Sequence, residues 1–248
     1  MSLKNPYAKF AEVYDLFVRA DFHKEYYRFI IRILNKLKFK PESVLDLACG
    51  TGKLAKLFLD NGYMVEGLDI SESMLSIARK RGLTVYQGNM VDFELGKKYD
   101  LILCVYDSLN YILKQSELLR CFKSVNRHLN EKGKFIFDMN SDFKINKVLP
   151  AYKTDYHKIG DTELIWLNSH KRNKWIGELI LFIKTENGKF RRFFEKHVER
   201  AYKIDTIKKL LKKASFEILG AFSDYKFNEI KKDSKRWFFI CKKLEDAL

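Results

Sequence analysis

An α/β architecture is what the sequence predicts: a mostly parallel sheet of seven strands flanked by helices, with an antiparallel β insertion after the fifth strand. Three observations lead to it. Between residues 43 and 139 short apolar runs alternate with amphipathic stretches, as in βα units that feed a parallel sheet. One of those runs, Val44-Leu45-Asp46-Leu47, passes straight into the glycine turn Gly50-Thr51-Gly52, which opens a helix. After Asp138 the hydrophobic period shortens to strand-like alternation.

Residues 10–37 read as one or two helices, because Phe29, Ile30, Ile33, Leu34 and Leu37 form an apolar stripe that Pro41 ends. Residues 43–47, 63–69, 84–87, 100–105 and 134–138 read as strands with apolar residues on both faces, as a sheet covered on both sides requires. Residues 52–61, 71–81 and 115–130 read as the helices between them. Ser71 is a natural N-cap for the second, whose Met74, Leu75 and Ala78 form a core-facing stripe. Leu118, Leu119, Phe122, Val125 and Leu129 do the same in the third. Beyond Asp138, residues 163–167, 175–185 and 189–199 alternate as strands, with Glu186-Asn187-Gly188 as a hairpin turn between the last two. A helix over 205–214 and strands over 216–222 and 236–242 complete the seven-stranded sheet, whose last member runs antiparallel. Residues 1–142 and 201–248 are therefore expected to form one ligand-binding domain, and residues 143–200 an insertion that covers the substrate site.

A chain of 248 residues suits one large domain or a domain with an insertion, and leaves little room for two independent cores. With 46% hydrophobic residues and only 3 Pro, it has the makings of a core and not of a disordered or fibrous protein. The longest apolar run, residues 101–106, falls far short of a membrane span, and the start MSLKNPYAKF has no secretory apolar region, so a soluble, cytoplasmic protein is expected. Cys49, Cys104, Cys121 and Cys241 lie far apart with no ligand-like spacing, which suggests neither zinc nor disulfides. The net charge of +15 divides into +4 over residues 1–142, +6 over 143–200 and +5 over 201–248, a lysine bias that reads mainly as solvated helix faces. Its C-terminal weight still keeps nucleic acid in view as a partner.

The glycine turn is the sharpest local signal. Glycines there allow a tight bend at positive φ, and a Cβ would block a ligand resting on the bend. Asp69, nineteen residues past Gly50 at the end of the second strand, can accept both hydroxyls of a ribose. Gly50, Gly52 and Ala55 formally satisfy G-x-G-x-x-G/A, so a dinucleotide has to be weighed. Asp46 argues against it, because a carboxylate before the turn would repel a pyrophosphate yet could help hold an ammonium, directly or through water. Gly-Thr-Gly-Lys also lacks the frame that cradles a nucleoside triphosphate. The best match is a zwitterionic nucleoside.

The run Leu45-Asp46-Leu47-Ala48-Cys49-Gly50-Thr51-Gly52 resembles motif I of the class I S-adenosylmethionine-dependent methyltransferases, and the order of the later elements agrees with that Rossmann-like fold. The resemblance implies S-adenosylmethionine as cofactor, with Asp46, Ala48, Gly50 and Gly52 around the turn. It also implies Asp69 on the ribose, Ile70 packing on adenine, Met74 beside it, and Asn89-Met90 at the adenine amine and ring, where Asp is commoner than Asn. Tyr14 and Arg19 resemble residues that close over the methionine end.

Methyl transfer is an in-line displacement that disperses the sulfonium charge, so it calls for positioning more than for oxyanion stabilisation. A base is needed only for a protonated nucleophile. The loop Cys104-Val105-Tyr106-Asp107-Ser108-Leu109-Asn110-Tyr111 falls at the expected substrate edge and lacks the Pro-Pro-Tyr motifs used on nucleic-acid or glutamine amines; Tyr106 is the candidate there. The insertion resembles the antiparallel cover of small-molecule N-methyltransferases, including those acting on nucleotide-linked amino sugars. In its last strand His197 is the candidate proton acceptor, Arg200 a candidate anion ligand, and Trp166 and Trp175 flat apolar walls. The expected activity is methyl transfer to an N or O nucleophile of a small molecule; the alternative is an RNA or protein methyltransferase that docks through the basic C-terminal half.

Overall fold

The chain opens with two helices, α1 (Ala11–Phe17) and α2 (Phe22–Lys36), in the computed structural model, which describes residues 10–19 and 21–244. Helix α2 buries Tyr26, Phe29, Ile30, Ile33 and Leu34, the stripe expected of a helix lying on a core. Then follow β1 (Ser43–Leu47), α3 (Lys53–Asp60), β2 (Met64–Asp69), α4 (Glu72–Lys80), β3 (Thr84–Gln87), β4 (Tyr99–Cys104), α5 (Gln115–Arg127) and β5 (Leu129–Asn140). Four further strands, β6 (Thr154–Ile159), β7 (Thr162–His170), β8 (Lys174–Lys184) and β9 (Phe190–Arg200), precede α6 (Ile204–Lys213), β10 (Phe216–Ser223) and β11 (Arg236–Lys243).

The main sheet has seven strands in the order β10-β11-β5-β4-β1-β2-β3. Strands β1 to β5 pair in parallel, and β11 lies antiparallel between β5 and β10. The predicted seven-stranded, mostly parallel sheet is therefore present, with its last member reversed. Successive residues of each strand serve opposite layers. Leu45, Leu47, Phe135 and Phe137 pack with residues of α5 and α6, whereas Val44, Leu101, Leu103 and Ile136 pack with residues of α2 and α3. Strand order reverses beside β1, where the chain moves outward to β2 and β3 and returns on the other side as β4. Ligands bind outside the carboxyl ends of the strands at such a point.

Strands β6 to β9 form a separate antiparallel sheet of four. Leu164, Leu179 and Leu181 on one of its faces pack with Phe10 and Val13 at the N-terminal helix. The β8–β9 hairpin closes at Asn187-Gly188, with Gly188 at φ +77° and Thr185 N–H donating to Lys189 O at 2.7 Å. Strand β6 has no counterpart in the sequence reading, because every residue of Thr-Asp-Tyr-His-Lys-Ile is exposed and no apolar alternation marks it. No helix among the described residues is long and apolar enough to cross a membrane.

Candidate cofactor and acceptor site

Strand β1 ends in three bends to positive φ: Ala48 at +61°, Gly50 at +56° and Gly52 at +76°. A Cβ on Gly50 would meet no atom within 4 Å, so this stretch of bare backbone faces open space. A Cβ on Gly52 would lie 2.3 Å from Leu83 Cδ1 and 3.1 Å from Ala78 Cβ, so Gly52 serves the packing of α3 against α4 and the turn after it. Asp69 ties the neighbouring strand to the turn: Gly50 N–H donates to its Oδ2 at 2.8 Å and Ser71 N–H to its Oδ1 at 2.9 Å. Burial raises its pKa against those bonds. The other carboxylate of the motif, Asp46, is 3% exposed and is pushed up to about 7 by burial and then by Asp69.

Above the turn lies a cavity of about 290 Å³. Tyr14, Ala48, Gly50, Asp69, Ile70, Met74, Asn89, Met90 and Tyr106 all line it, which brings together nine of the residues singled out in the sequence. Sheet order places Ile70, Asn89 and Met90 toward the β3 side and Tyr106 toward the β4 side. Asn89 braces its own loop by accepting Val91 N–H at 3.0 Å. Asp46 and Gly52 form no part of the wall. Neither does Arg19, whose guanidinium pairs with Glu25 and is 66% exposed.

Helix α1 is pinned over the turn by one residue. Asp15 accepts Thr51 Oγ1–H at 2.9 Å, lies 3.4 Å from Lys53 Nζ and pairs with Arg81. Burial would raise its pKa, but the bonds to Arg81 and Thr51 prevail and bring it below the usual carboxylate value. This clamp sets Tyr14 in the cavity wall. Burial and then Lys53 push His23 of α2 down to about 4, so its ring is neutral. His23 Nδ1 meets the Tyr106 hydroxyl at 2.7 Å, and its buried Nε2 has no protein partner although the residue lines the cavity. Such an orphaned polar atom calls for a polar ligand atom. His23 was legible in principle, since it shares a helix stripe with Tyr26 and Ile30.

After β4 two consecutive non-glycine residues, Tyr106 at φ +62° and Asp107 at φ +55°, occupy the left-handed region. Such residues persist only where their surroundings hold them, and they cluster at functional sites. Here Tyr106 is wedged among Phe22, His23 and Tyr26, and Asp107 is held by Arg236 at 2.6 Å.

A second cavity of about 270 Å³ adjoins the first and shares Tyr14 and Tyr111 with it. Its remaining wall comes from α1, the loop after β4 and the four-stranded sheet: Phe10, Phe17, Val18, Asp107, His157, Leu164, Trp166, Trp175 and Glu199. His197 lines neither cavity. It is 1% exposed, with Nδ1 3.1 Å from the Tyr111 hydroxyl and Nε2 3.6 Å from Glu195, so it reaches the site through Tyr111. Arg200 donates to Leu113 O at 2.6 Å and covers the Tyr202 ring, which leaves the anion contact expected of it to the chain itself. Of the wall residues, Asp107 and Tyr111 fall in the loop 104–111 expected at the substrate edge, and Glu199 lies two residues past His197 on β9.

A sheet that reverses its order beside a glycine turn, with a carboxylate one strand over and no triphosphate cradle, defines a doubly wound α/β protein with a nucleoside-type site. The sequence profile of a methyltransferase domain matches residues 44–133. A crystal structure of an S-adenosylmethionine-dependent methyltransferase from Clostridium acetobutylicum superposes with a TM-score of 0.86 at 32% identity, over 96% of this chain and 99% of that one. YqeM of Bacillus subtilis, which carries a provisional methyltransferase name, is 30% identical over 96% of this chain and 97% of that protein. A Streptomyces venezuelae enzyme, dTDP-3-amino-3,4,6-trideoxy-alpha-D-glucopyranose N,N-dimethyltransferase, is 37% identical over 50% of this chain and 54% of its own length. The chain belongs to the S-adenosylmethionine-dependent methyltransferase family and is an enzyme that uses S-adenosylmethionine as methyl donor. Its cavity fits that ligand: bare backbone at Gly50 and the Asp69 carboxylate on one side, the unpartnered His23 Nε2 on the other.

Proposed function

We propose that the chain methylates a nitrogen or oxygen nucleophile of a small molecule, held in the second cavity beneath the four-stranded sheet. The observation that carries this reading is the shared wall: Tyr14 and Tyr111 belong to both cavities, so an acceptor in one faces a donor in the other. At about 270 Å³ the acceptor space suits a metabolite-sized group and not a folded RNA or protein segment. The sugar N,N-dimethyltransferase relative supports nitrogen as the target atom.

In this reading residues 1–142 and 201–248 form the cofactor-binding body and residues 143–200 the acceptor cover. S-adenosylmethionine supplies the electrophilic methyl. Asp69 accepts the ribose hydroxyls, Ile70, Met90 and Asn89 meet the adenine with Met74 behind them, and Ala48 and Gly50 underlie the ligand. Tyr14, His23 and Tyr106 close the methionine end. The chain's main task is to hold the nucleophile in line and exclude water, since alignment alone can contribute about 7–11 kcal/mol. A reducing cytoplasmic setting accords with four free cysteines.

The experiment is a panel of amines and hydroxyl metabolites incubated with methyl-labelled S-adenosylmethionine and read by mass spectrometry. Labelled small molecules are expected. Label found only in added RNA or protein would reverse the assignment.

A further inference from the structure

We propose that Glu199, flanked by Asp107, is the group that seats a positively charged acceptor and takes its proton, and that the acceptor end bound there carries an ammonium and no phosphate. This rests on the reading of the second cavity as the acceptor site.

Geometry comes first. Glu199 stands on β9 and Asp107 on the loop after β4, and both line the second cavity from opposite sheets. Most of the rest of the wall is apolar or aromatic, with Trp166 and Trp175 prominent, and no Lys or Arg is among the described residues that line it. A phosphorylated end would find two carboxylates and no cation. An ammonium would find the reverse, with tryptophan faces that attract cations.

The groups behind the wall point the same way. Asn140 Nδ2 donates to Glu199 Oε2 at 2.7 Å, while Asn140 Oδ1 accepts from Lys144 Nζ at 2.8 Å. Arg236 pairs with both Asp107 and Asp138. Three carboxyl groups thus face two cations in a buried cluster, which is one positive charge short of neutral. The other titratable groups close by are Tyr14 in the wall, His157 in the wall with its Nε2 3.2 Å from Asp155, and Glu195 earlier on β9; none of them is a Lys or Arg. With the cavity empty the cluster relieves itself by keeping a proton on Glu199, whose pKa burial and then Asp107 hold well above the usual carboxylate range. An arriving ammonium supplies the missing charge and releases that proton to water.

An ammonium has no lone pair to attack with, so its N–H bond must break first. The proton passes to a Glu199 oxygen and the electron pair stays on nitrogen. The C–N bond then forms as the S–C bond breaks, and sulfur keeps that pair as a neutral thioether. His197, screened from both cavities, is a positioning residue for Tyr111 in this scheme.

The test uses the full-length protein saturated with S-adenosylhomocysteine and three matched probes: benzylamine, benzyl alcohol and benzyl phosphate. Quenching of tryptophan fluorescence at neutral pH reads their binding. Benzylamine is expected to bind at least tenfold more tightly than either neighbour, and Glu199→Gln is expected to lower that affinity at least tenfold while S-adenosylhomocysteine affinity stays unchanged. Equal or tighter binding of the alcohol or the phosphate, absence of amine binding, or an unchanged amine affinity in a folded E199Q protein overturns the proposal. Should E199Q lose its fold, the three-probe comparison on the unaltered protein decides alone. Failure of S-adenosylhomocysteine itself to bind would instead remove the cofactor reading, so the two outcomes are separable.

Discussion

Gly50 and Gly52 share a left-handed backbone but owe their glycine to different causes, and single substitutions should separate them. At Gly50 an added methyl meets nothing in the protein, so Gly50→Ala should cost only the conformational strain, about 1–2 kcal/mol, and act mainly by intruding on the ligand. At Gly52 the methyl collides with Leu83, a side chain held in the core beside Ala78, so Gly52→Ala should destabilise more and lower the melting temperature further. Calorimetric titration with S-adenosylmethionine and thermal unfolding check the pair; the same ranking of both variants in both assays would contradict it. Asp46 yields a pH prediction. Its folded pKa of about 7 exceeds the unfolded value near ~4, so the folded state keeps a proton that the unfolded chain has lost. Stability should therefore fall as pH rises from about 4 to 7 and level off above that. Asp46→Asn, which cannot ionise, is expected to match the parent at pH ~4 and to exceed it at pH ~8 by up to a few kcal/mol in thermal unfolding without cofactor. Equal melting temperatures at the higher pH would show that Asp46 is not desolvated as the structure has it.

Helix α1 owes its place to Asp15 more than to its own seven residues, too few for an isolated helix to hold together in water. Because the Asp15 pKa is depressed in the folded chain, the stabilisation it supplies is complete above its unfolded value and is lost as pH falls through the folded one. Asp15→Ala should speed amide exchange across residues 11–18 and weaken S-adenosylmethionine binding about tenfold, the equivalent of roughly one charge-assisted hydrogen bond. Unchanged exchange there would assign the docking to Phe10 and Val13 instead. How readily each element could be read follows from the same physics. Strands β1 and β3 appear where expected because their bounding turns are written in Gly, Pro and Asn, and β4 because both its faces are apolar. Strand β5 begins at Leu129, five residues before the expected start, because Leu129 already pairs with Tyr99 of β4 while residues 130–133 form an irregularity in that pairing and carry no apolar signal. Strand β6 pairs with β7 only, and an exposed edge strand leaves no hydrophobic trace in a sequence.

The two halves of the site differ in legibility for a reason that concerns how the sheets meet. Most of the cofactor half, from Ala48 to Val91, is written within about forty-five consecutive residues, because a βαβ unit brings its own turns together, and Tyr14, His23 and Tyr106 join it from outside that stretch. The acceptor half draws on α1, the loop after β4 and all four strands of the second sheet, and nothing but the folded contact between these elements makes neighbours of Tyr14, Asp107 and Glu199. Helix α1 meets the second sheet through a small apolar cluster, Phe10, Val13, Leu164, Leu179 and Leu181, which shares no buried residue with the two layers of the main sheet, whereas β9 is joined to the main sheet separately by Asn110 donating to Arg200 O and Asn140 to Glu199. Leu181→Ala removes a side chain at the centre of that cluster and should cost about 2–5 kcal/mol. Because the cluster is separate, the loss is expected to appear locally: faster hydrogen exchange over residues 162–184 and 11–17, with β1, β4 and β5 keeping their protection. The acceptor wall would then open while the glycine turn stays formed, so turnover should fall further than S-adenosylmethionine affinity does. Equal loss of protection in β1 and β4 would mean that both sheets open as one cooperative unit, and the acceptor cover would have no independence from the body that holds the methyl donor.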